Sequence, residues 1–201
     1  MGRTPSSCRQ CRREMDKLFL KGERCFTNKC AVEKRKFPPG QHGAAGARLT
    51  EYGRRMREKQ KARSIYGLTE SQFRGYFEKA AKKAGVTGEK LLEFLERRLD
   101  NVVFRLGLAS SRQAARQLVR HGNVTVNSKK VNIPSFQVKA NDVVVIKPNM
   151  LEKMKEKLKE YTPPAWLSLD ADYNGKIVHM PTRDDTERII QESLIVEYYS
   201  K

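Results

Sequence analysis

The chain has 201 residues, 41 of them Lys or Arg against 23 Asp or Glu, for a formal net charge of +18. That length allows one large or two small domains with real cores, and that charge calls for a polyanionic partner, nucleic acid ahead of an anionic membrane surface. No long apolar run, signal-peptide core or lipidation motif is present, so the sequence reads as that of a soluble, intracellular protein.

All four cysteines, Cys8, Cys11, Cys25 and Cys30, fall in one N-terminal window. Their C-x2-C and C-x4-C pairs, joined by a loop, can bring four thiolates to roughly 2.3 Å from one tetrahedral metal with little backbone strain. Disulfides are disfavoured in an unsecreted protein, and four cysteines leave no open position for catalytic water. Zinc is the expected ion; a 4Fe-4S cluster takes the same donors, and spacing does not separate the two. Leu18, Phe19 and Leu20 form the only apolar run in the loop, so metal binding would supply folding free energy to an arm with little core.

Residues 37–46, FPPGQHGAAG, are extended and Gly-rich, without periodicity. Their G-x-x-G spacings match a phosphate-cradling loop only weakly, because no strand precedes them and no Lys-Ser/Thr follows. Residues 50–66 read as a strongly basic helix carrying Arg54, Arg55, Arg57, Lys59, Lys61 and Arg63. Thr69 and Gln72 then make a capping box, with Leu68 and Phe73 as a hydrophobic staple. Phe73, Tyr76, Phe77, Ala80 and Ala84 give the helix that follows an apolar face, and Gly85 ends it. Another helix starts near Gly88 and carries Leu91, Leu92 and Leu95.

The stretch 97–134, RRLDNVVFRLGLASSRQAARQLVRHGNVTVNSKKVNIP, is the densest in signals. Leu99, Val102, Val103 and Leu106 recur at helical spacing and Gly107 stops that helix. Ser110 or Ser111 caps a second helix, which Gly122 ends in the left-handed conformation. Arg112, Arg116 and Arg120 lie at i, i+4 and i+8, opposite Ala114, Ala115 and Leu118. Val124 and Val126 alternate as a strand, Asn127 and Ser128 turn, and Lys129 and Lys130 open a return strand ending near Pro134. A merely solvated helix mixes signs to gain i,i+4 pairs, yet residues 110–130 contain no Asp or Glu. Unrelieved positive charge there predicts contact with phosphate.

Beyond the hairpin, residues 143–146 read as a strand. A helix capped at 149–152 carries Leu151, Met154 and Leu158 inward and is stopped by Pro163 and Pro164. Residues 166–169 and 176–180 read as strands around an Asn174-Gly175 turn, and 194–199 as a last strand. The last forty residues are net acidic, which suits a core-covering or protein-facing role. No complete Walker motif, G-x-S-x-G, H-E-x-x-H or convincing carboxylate pair is present, so the chain does not read as an enzyme.

Five motifs now carry a resemblance: PPGQHG at 38–43, REKQKARSIYG at 57–67, RLDNVVFRLG at 98–107, ARQLVRHG at 115–122 and LIVEYYSK at 194–201. Together they are similar to the bacterial small-subunit (30S) ribosomal protein S-four family over nearly the whole chain. The cysteines match that family's metal-binding version. The resemblance implies an α+β fold: a mostly helical domain with an N-terminal four-Cys metal knuckle, plus an inserted RNA-binding module of two helices and a small antiparallel sheet. The expected division is a knuckle and basic arm over 1–45, a helical domain over 46–96 completed by C-terminal strands in 162–201, and the module over 97–161.

The family resemblance further implies a structural constituent of the small ribosomal subunit. It would bind the 5′ domain of 16S ribosomal RNA (rRNA), nucleate 30S assembly and influence translational accuracy. Its expected neighbours are ribosomal protein S-five, the S-three and S-twelve neighbourhood, and messenger RNA (mRNA) where it enters the subunit. A free-standing RNA-binding regulator or RNA chaperone that shares the module is the alternative. The expected RNA contacts are Arg3, Arg12, Arg13, Arg35, Lys36, Gln41, His42 and Arg48 in the arm, with Arg48 as the main mRNA-facing group. In the basic helix they are Arg54, Arg55, Arg57, Lys59, Lys61 and Arg63, and in the module Arg98, Arg112, Arg116, Arg120, His121, Lys129 and Lys130. The family often has glycine where this chain has Ser128 and Asn141. Asn tolerates positive φ, whereas Ser128 would cost about 1 kcal/mol if it must adopt it.

Overall fold

A computed structural model describes residues 6–45, 49–152 and 154–200. In chain order its regular elements are α1 (Ser7–Glu14), α2 (Ala31–Lys34), α3 (Glu51–Ile65), α4 (Glu70–Ala81), α5 (Thr87–Glu96), α6 (Leu99–Arg105), α7 (Arg112–Arg120), β1 (Val124–Val126), β2 (Lys129–Lys130), β3 (Val143–Ile146), α8 (Pro148–Leu151), α9 (Lys155–Leu158), β4 (Leu167–Leu169), β5 (Gly175–Ile177) and α10 (Glu192–Tyr199). Short 3-10 turns span Gly22–Phe26 and Gly43–Ala45. No helix is long and apolar enough to cross a membrane among the described residues.

The chain divides into two compact units, one running to Glu70 and resuming at Ile190, the other spanning Ser71–Ile189. In the first, α3 begins where Thr50 caps it, the threonine hydroxyl accepting from Gly53 N–H at 3.1 Å. α10 packs along α3, with α1 also against it. Ala62 and Ile65 of α3 and Ile195 of α10 are buried.

The second unit holds the main core. Leu99, Val102, Val103, Leu106, Ala115, Val119, Val124, Val144, Trp166 and Ile177 belong to one buried cluster. Two short helices, α6 and α7, cover a five-stranded antiparallel sheet of order β2-β1-β3-β5-β4. Val124 of β1 stands opposite Ile146 of β3, and Val144 of β3 opposite Gly175 of β5. Gly175 is closely approached by the methyl groups of Leu106, so any side chain there would collide with the core.

The β1–β2 turn puts both central residues at positive φ, Asn127 at 48° and Ser128 at 64°. This is the backbone of a tight hairpin turn whose twist matches the strands. Asn127 is well suited to it: its side chain donates to Asp142 at 2.8 Å and accepts from Val143 N–H at 2.9 Å. Ser128 therefore does carry the left-handed cost of about 1 kcal/mol expected of a non-glycine residue. Asn141, at φ 67°, turns the chain into β3 in the same region of backbone space.

Five expectations are corrected. The segment 194–199 is not a strand but lies within the helix α10, because Ile195, Tyr198 and Tyr199 fall at i, i+3 and i+4 and face α3. The strands at 167–177 do not complete the 46–96 helical domain; β5 pairs with β3 and extends the module's own sheet. The single helix expected after residue 149 is two short turns, α8 and α9. The helix over 70–81 ends four residues before Gly85, and the return strand β2 is only Lys129–Lys130.

Candidate nucleic-acid interface

α7 presents the module's exposed cations. Ser111 caps it by accepting from Ala114 N–H at 3.2 Å, and Ala115 and Val119 bury its inner face. Gly122, at φ 67°, ends it, and the aliphatic part of Lys130 lies over that glycine. The hairpin thus returns a lysine to the end of the helix that carries Arg120 and His121. Gln113, Arg116, Gln117, Arg120 and His121 line an open depression on α7. Arg120, His121, Lys129 and Lys130 are exposed, and no carboxylate is paired with them among the described residues.

The other arginines of this face are held internally. Arg112 donates to Glu187 at 2.6 Å and to Asn101 at 2.8 Å, and its guanidinium lies over the Phe104 ring. Arg105 pairs with Glu96 at 2.8 Å and with Glu187 at 3.3 Å. Burial alone would raise the Glu187 carboxyl, but Arg112 and Arg105 hold it below the usual carboxylate range. Arg116, a third exposed, lies 3.7 Å from Asp100. Arg98 is 2% exposed; it makes a two-pronged bond to Asp100 at 3.0 and 2.7 Å and donates to the Tyr76 hydroxyl at 2.9 Å. Arg98 is therefore corrected from an RNA contact to a buried structural ion pair, and Arg112 becomes mainly a strut between α7 and Glu187.

The same subtraction applies to α3. Arg55 pairs with Glu197 at 2.8 Å, Lys61 with Asp16 at 2.9 Å and Glu58 at 3.1 Å, and Arg63 with Glu70 at 3.8 Å. Arg57 pairs with Glu14. Lys59, 4% exposed, reaches Glu70 at 2.6 Å and lies over the Tyr198 ring, so it too is a core group and not a surface cation. Arg54 remains exposed without a carboxylate partner among the described residues.

In the arm, Arg12 donates to the Phe37 and Pro38 carbonyls at 3.0 and 3.3 Å and covers the Phe37 ring, pinning the Pro-Pro-Gly loop. Arg13, Arg35, Lys36, Gln41 and His42 are exposed. Arg3 and Arg48 lie outside the described residues. Three further lysines outside the expected set, Lys79, Lys82 and Lys83 at the α4–α5 corner, are exposed and have no carboxylate partner among the described residues. The acid-free run 79–88 was their available signal.

The four cysteines form no disulfide and line one small cavity with Leu20 and Ala31. Cys11, Cys25 and Cys30 are buried. Burial raises the Cys11 thiol above its ordinary value, against a lowering hydrogen bond from the Leu18 backbone, and the nearness of Cys25, Cys8 and Cys30 raises it further. Among the described residues, no group of three or more His, Cys, Asp or Glu side chains is arranged so that it could hold a metal ion. The donor set therefore has the right chemistry and shares one cavity, without the closed geometry of a loaded site.

Known proteins match the chain along nearly its whole length. The family described as Ribosomal protein S4/S9 N-terminal domain matches residues 3–96, and the S4 domain matches 97–144. The small ribosomal subunit protein uS4 of Pelotomaculum thermopropionicum is 53% identical to this chain, with 98% of each chain covered. The proteins of that name from Acetivibrio thermocellus and Citrifermentans bemidjiense are each 56% identical over the same 98% shares.

Proposed function

Since this chain belongs to the small ribosomal subunit protein uS4 family, we propose that it docks on the 5′ domain of 16S rRNA and nucleates assembly around that contact. As a family member it is an RNA-binding structural component of the small ribosomal subunit in the cytoplasm, in a family of structural proteins and not of enzymes. The observation that carries the docking reading is the exposed group of Arg120, His121, Lys129 and Lys130, gathered from a helix end and a hairpin and left without acidic partners among the described residues. Cations placed this way on rigid elements fit a folded RNA junction by shape and phosphate contact, because side chains cannot read the narrow A-form major groove.

Chemical footprinting of the folded 16S 5′ domain tests this directly. Protection of backbone positions at one helix junction is expected, and protection of nothing in that domain would overturn it. A role beside ribosomal protein S-five, with influence on decoding accuracy, and a contact with mRNA as it enters the subunit belong to the same proposal. The acidic C-terminal segment supports the first, and the exposed arm residues His42 and Gln41 the second. Relatives that match end to end, arm included, favour the ribosomal role over a free-standing regulator built on the module alone.

Cys8, Cys11, Cys25 and Cys30 are proposed to hold one Zn2+, and the shared cavity and the absence of disulfides among them support that set. The ion would supply folding free energy to an arm that buries few apolar side chains, chiefly Leu18 and Leu20. Elemental analysis should return one zinc per chain with no visible absorption, and Cys11→Ser should lose it. Iron with a visible band would assign the thiolates to a 4Fe-4S cluster instead; no metal at all would remove the proposal.

A further inference from the structure

The N-terminal four-cysteine segment carries an aromatic pair that neither its fold nor its cysteines require. Phe26 ends the Gly22–Phe26 turn and is 75% exposed, the most exposed large apolar side chain among the described residues. Phe19 stacks on it, with ring centroids 4.9 Å apart and the planes 29° from parallel. A single exposed apolar residue needs no explanation, but here a second ring backs the exposed one and fixes its plane.

The backbone under that pair is specialised. Leu18 and Leu20 are both buried, and the chain between them passes through φ 50° at Phe19, a left-handed conformation that is rare for a bulky residue. That turn lets three consecutive apolar residues divide, two into the core and one beneath Phe26. Strain of this sort persists where the surroundings enforce it, and it concentrates at binding sites. The turn that follows is rigid as well. The Thr27 hydroxyl donates to the Arg24 carbonyl at 3.1 Å and accepts from Lys29 N–H at 3.3 Å, and Cys30 N–H donates to the Thr27 carbonyl at 3.0 Å. Arg24, Phe26 and Lys29 therefore share one tight loop, with Lys21 just before it. Those three cations are exposed and have no carboxylate partner among the described residues.

The loop that carries this flat apolar face holds three cations, Lys21, Arg24 and Lys29, against one carboxylate, Glu23, and an exposed ring beside a net positive backbone segment is an arrangement that takes an unstacked base with its flanking phosphates. An apolar protein surface would gain from the ring but would have to desolvate the cations around it. We propose that Phe26, backed by Phe19, is a stacking platform for one unpaired rRNA base, with Lys21, Arg24 and Lys29 engaging the phosphates beside it. The proposal rests on the rRNA-docking reading and adds a second, chemically different kind of contact to it.

The test is binding of the full chain, as purified, to folded 16S 5′-domain RNA by wild type, Phe26→Ala, Phe26→Leu and Phe26→Trp. Phe26→Ala should weaken binding about 5- to 150-fold, the range for losing one base stack. Phe26→Leu, which keeps apolar area but has no π face, should be close to the alanine variant. Phe26→Trp should bind like wild type and show fluorescence quenching on RNA, over the buried Trp166 background. Unchanged thermal melting of the free variants keeps the comparison about binding. Wild-type affinity in Phe26→Ala overturns the platform while leaving rRNA docking intact. Full rescue by leucine also overturns it, as does normal RNA binding coupled with failure to enter subunits, which would mark a protein contact. Failure of wild type to bind the RNA would sink both readings together.

Discussion

Arg98→Ala is expected to destabilise the chain by about 3–5 kcal/mol, the usual consequence of removing one member of a buried ion pair. Arg98 and Asp100 are 2% and 4% exposed, and the guanidinium satisfies both carboxylate oxygens while also holding Tyr76. Burial works against the charge on Arg98, but Asp100 and Tyr76 raise its pKa above the ordinary value, so the guanidinium stays charged. Alanine leaves the Asp100 carboxylate without its main partner in a buried site, with only Asn101 N–H at 3.0 Å and Arg116 at 3.7 Å remaining among the described residues. Urea unfolding should show a lower midpoint. Arg98→Lys should recover only part of the loss, because an ammonium cannot reproduce the two parallel bonds. The double variant Arg98→Ala with Asp100→Ala should be less damaged than the sum of the two single changes. A loss below about 1 kcal/mol would mean that the fold does not depend on the pair.

The salt dependence of rRNA binding should separate the exposed cations from the paired ones. Alanine at Arg120, Lys129 and Lys130 together is expected to lower the slope of log K against log salt by about two to three, near one for each phosphate that is no longer neutralised. Stability should change little, because these side chains are exposed and unpaired among the described residues. Arg112→Ala should do the reverse: it breaks the bonds to Glu187 and Asn101 and costs stability, yet leaves the slope nearly as it was. Filter binding across a salt series, with folding checked by circular dichroism, measures both. An equal fall in slope for Arg112→Ala would return that arginine to the RNA footprint.

Arg112 also marks the limit of what charge along the chain can tell. The absence of acids from 110–130 is real, but Glu187 comes from 75 positions further along than Arg112 and neutralises it in space. A charge window along the chain cannot see a partner brought in by the fold. The same blindness affected α3, whose cations meet Glu14, Asp16, Glu70 and Glu197 from three other segments. It also affected the C-terminus. Residues 194–199 contain β-branched and aromatic side chains that suit a strand, and only the hydrophobic face offered by α3 made them a helix. The β5 strand is legible as a strand, but its pairing with β3 is non-local and carries no sequence signal of its own.

Local chemistry was readable because local interactions enforce it. Thr50 and Ser111 cap the helices they precede, Gly107 and Gly122 take the positive φ that ends α6 and α7, and Asn127-Ser128 make the hairpin turn. Each of these depends on groups only a few residues apart, so the sequence alone specified those helix starts and stops, that hairpin turn and the excess of positive charge; the Asn174-Gly175 turn it also suggested falls elsewhere, with Gly175 inside β5 and the positive φ at Tyr173. Which cations face solvent was decided by tertiary structure. A guanidinium binds either a carboxylate or a phosphate with the same bidentate fork, and its sequence does not say which; the fold gives Arg98, Arg105 and Arg112 the carboxylates of Asp100, Glu96 and Glu187, and leaves Arg120, Lys129 and Lys130 exposed without one among the described residues.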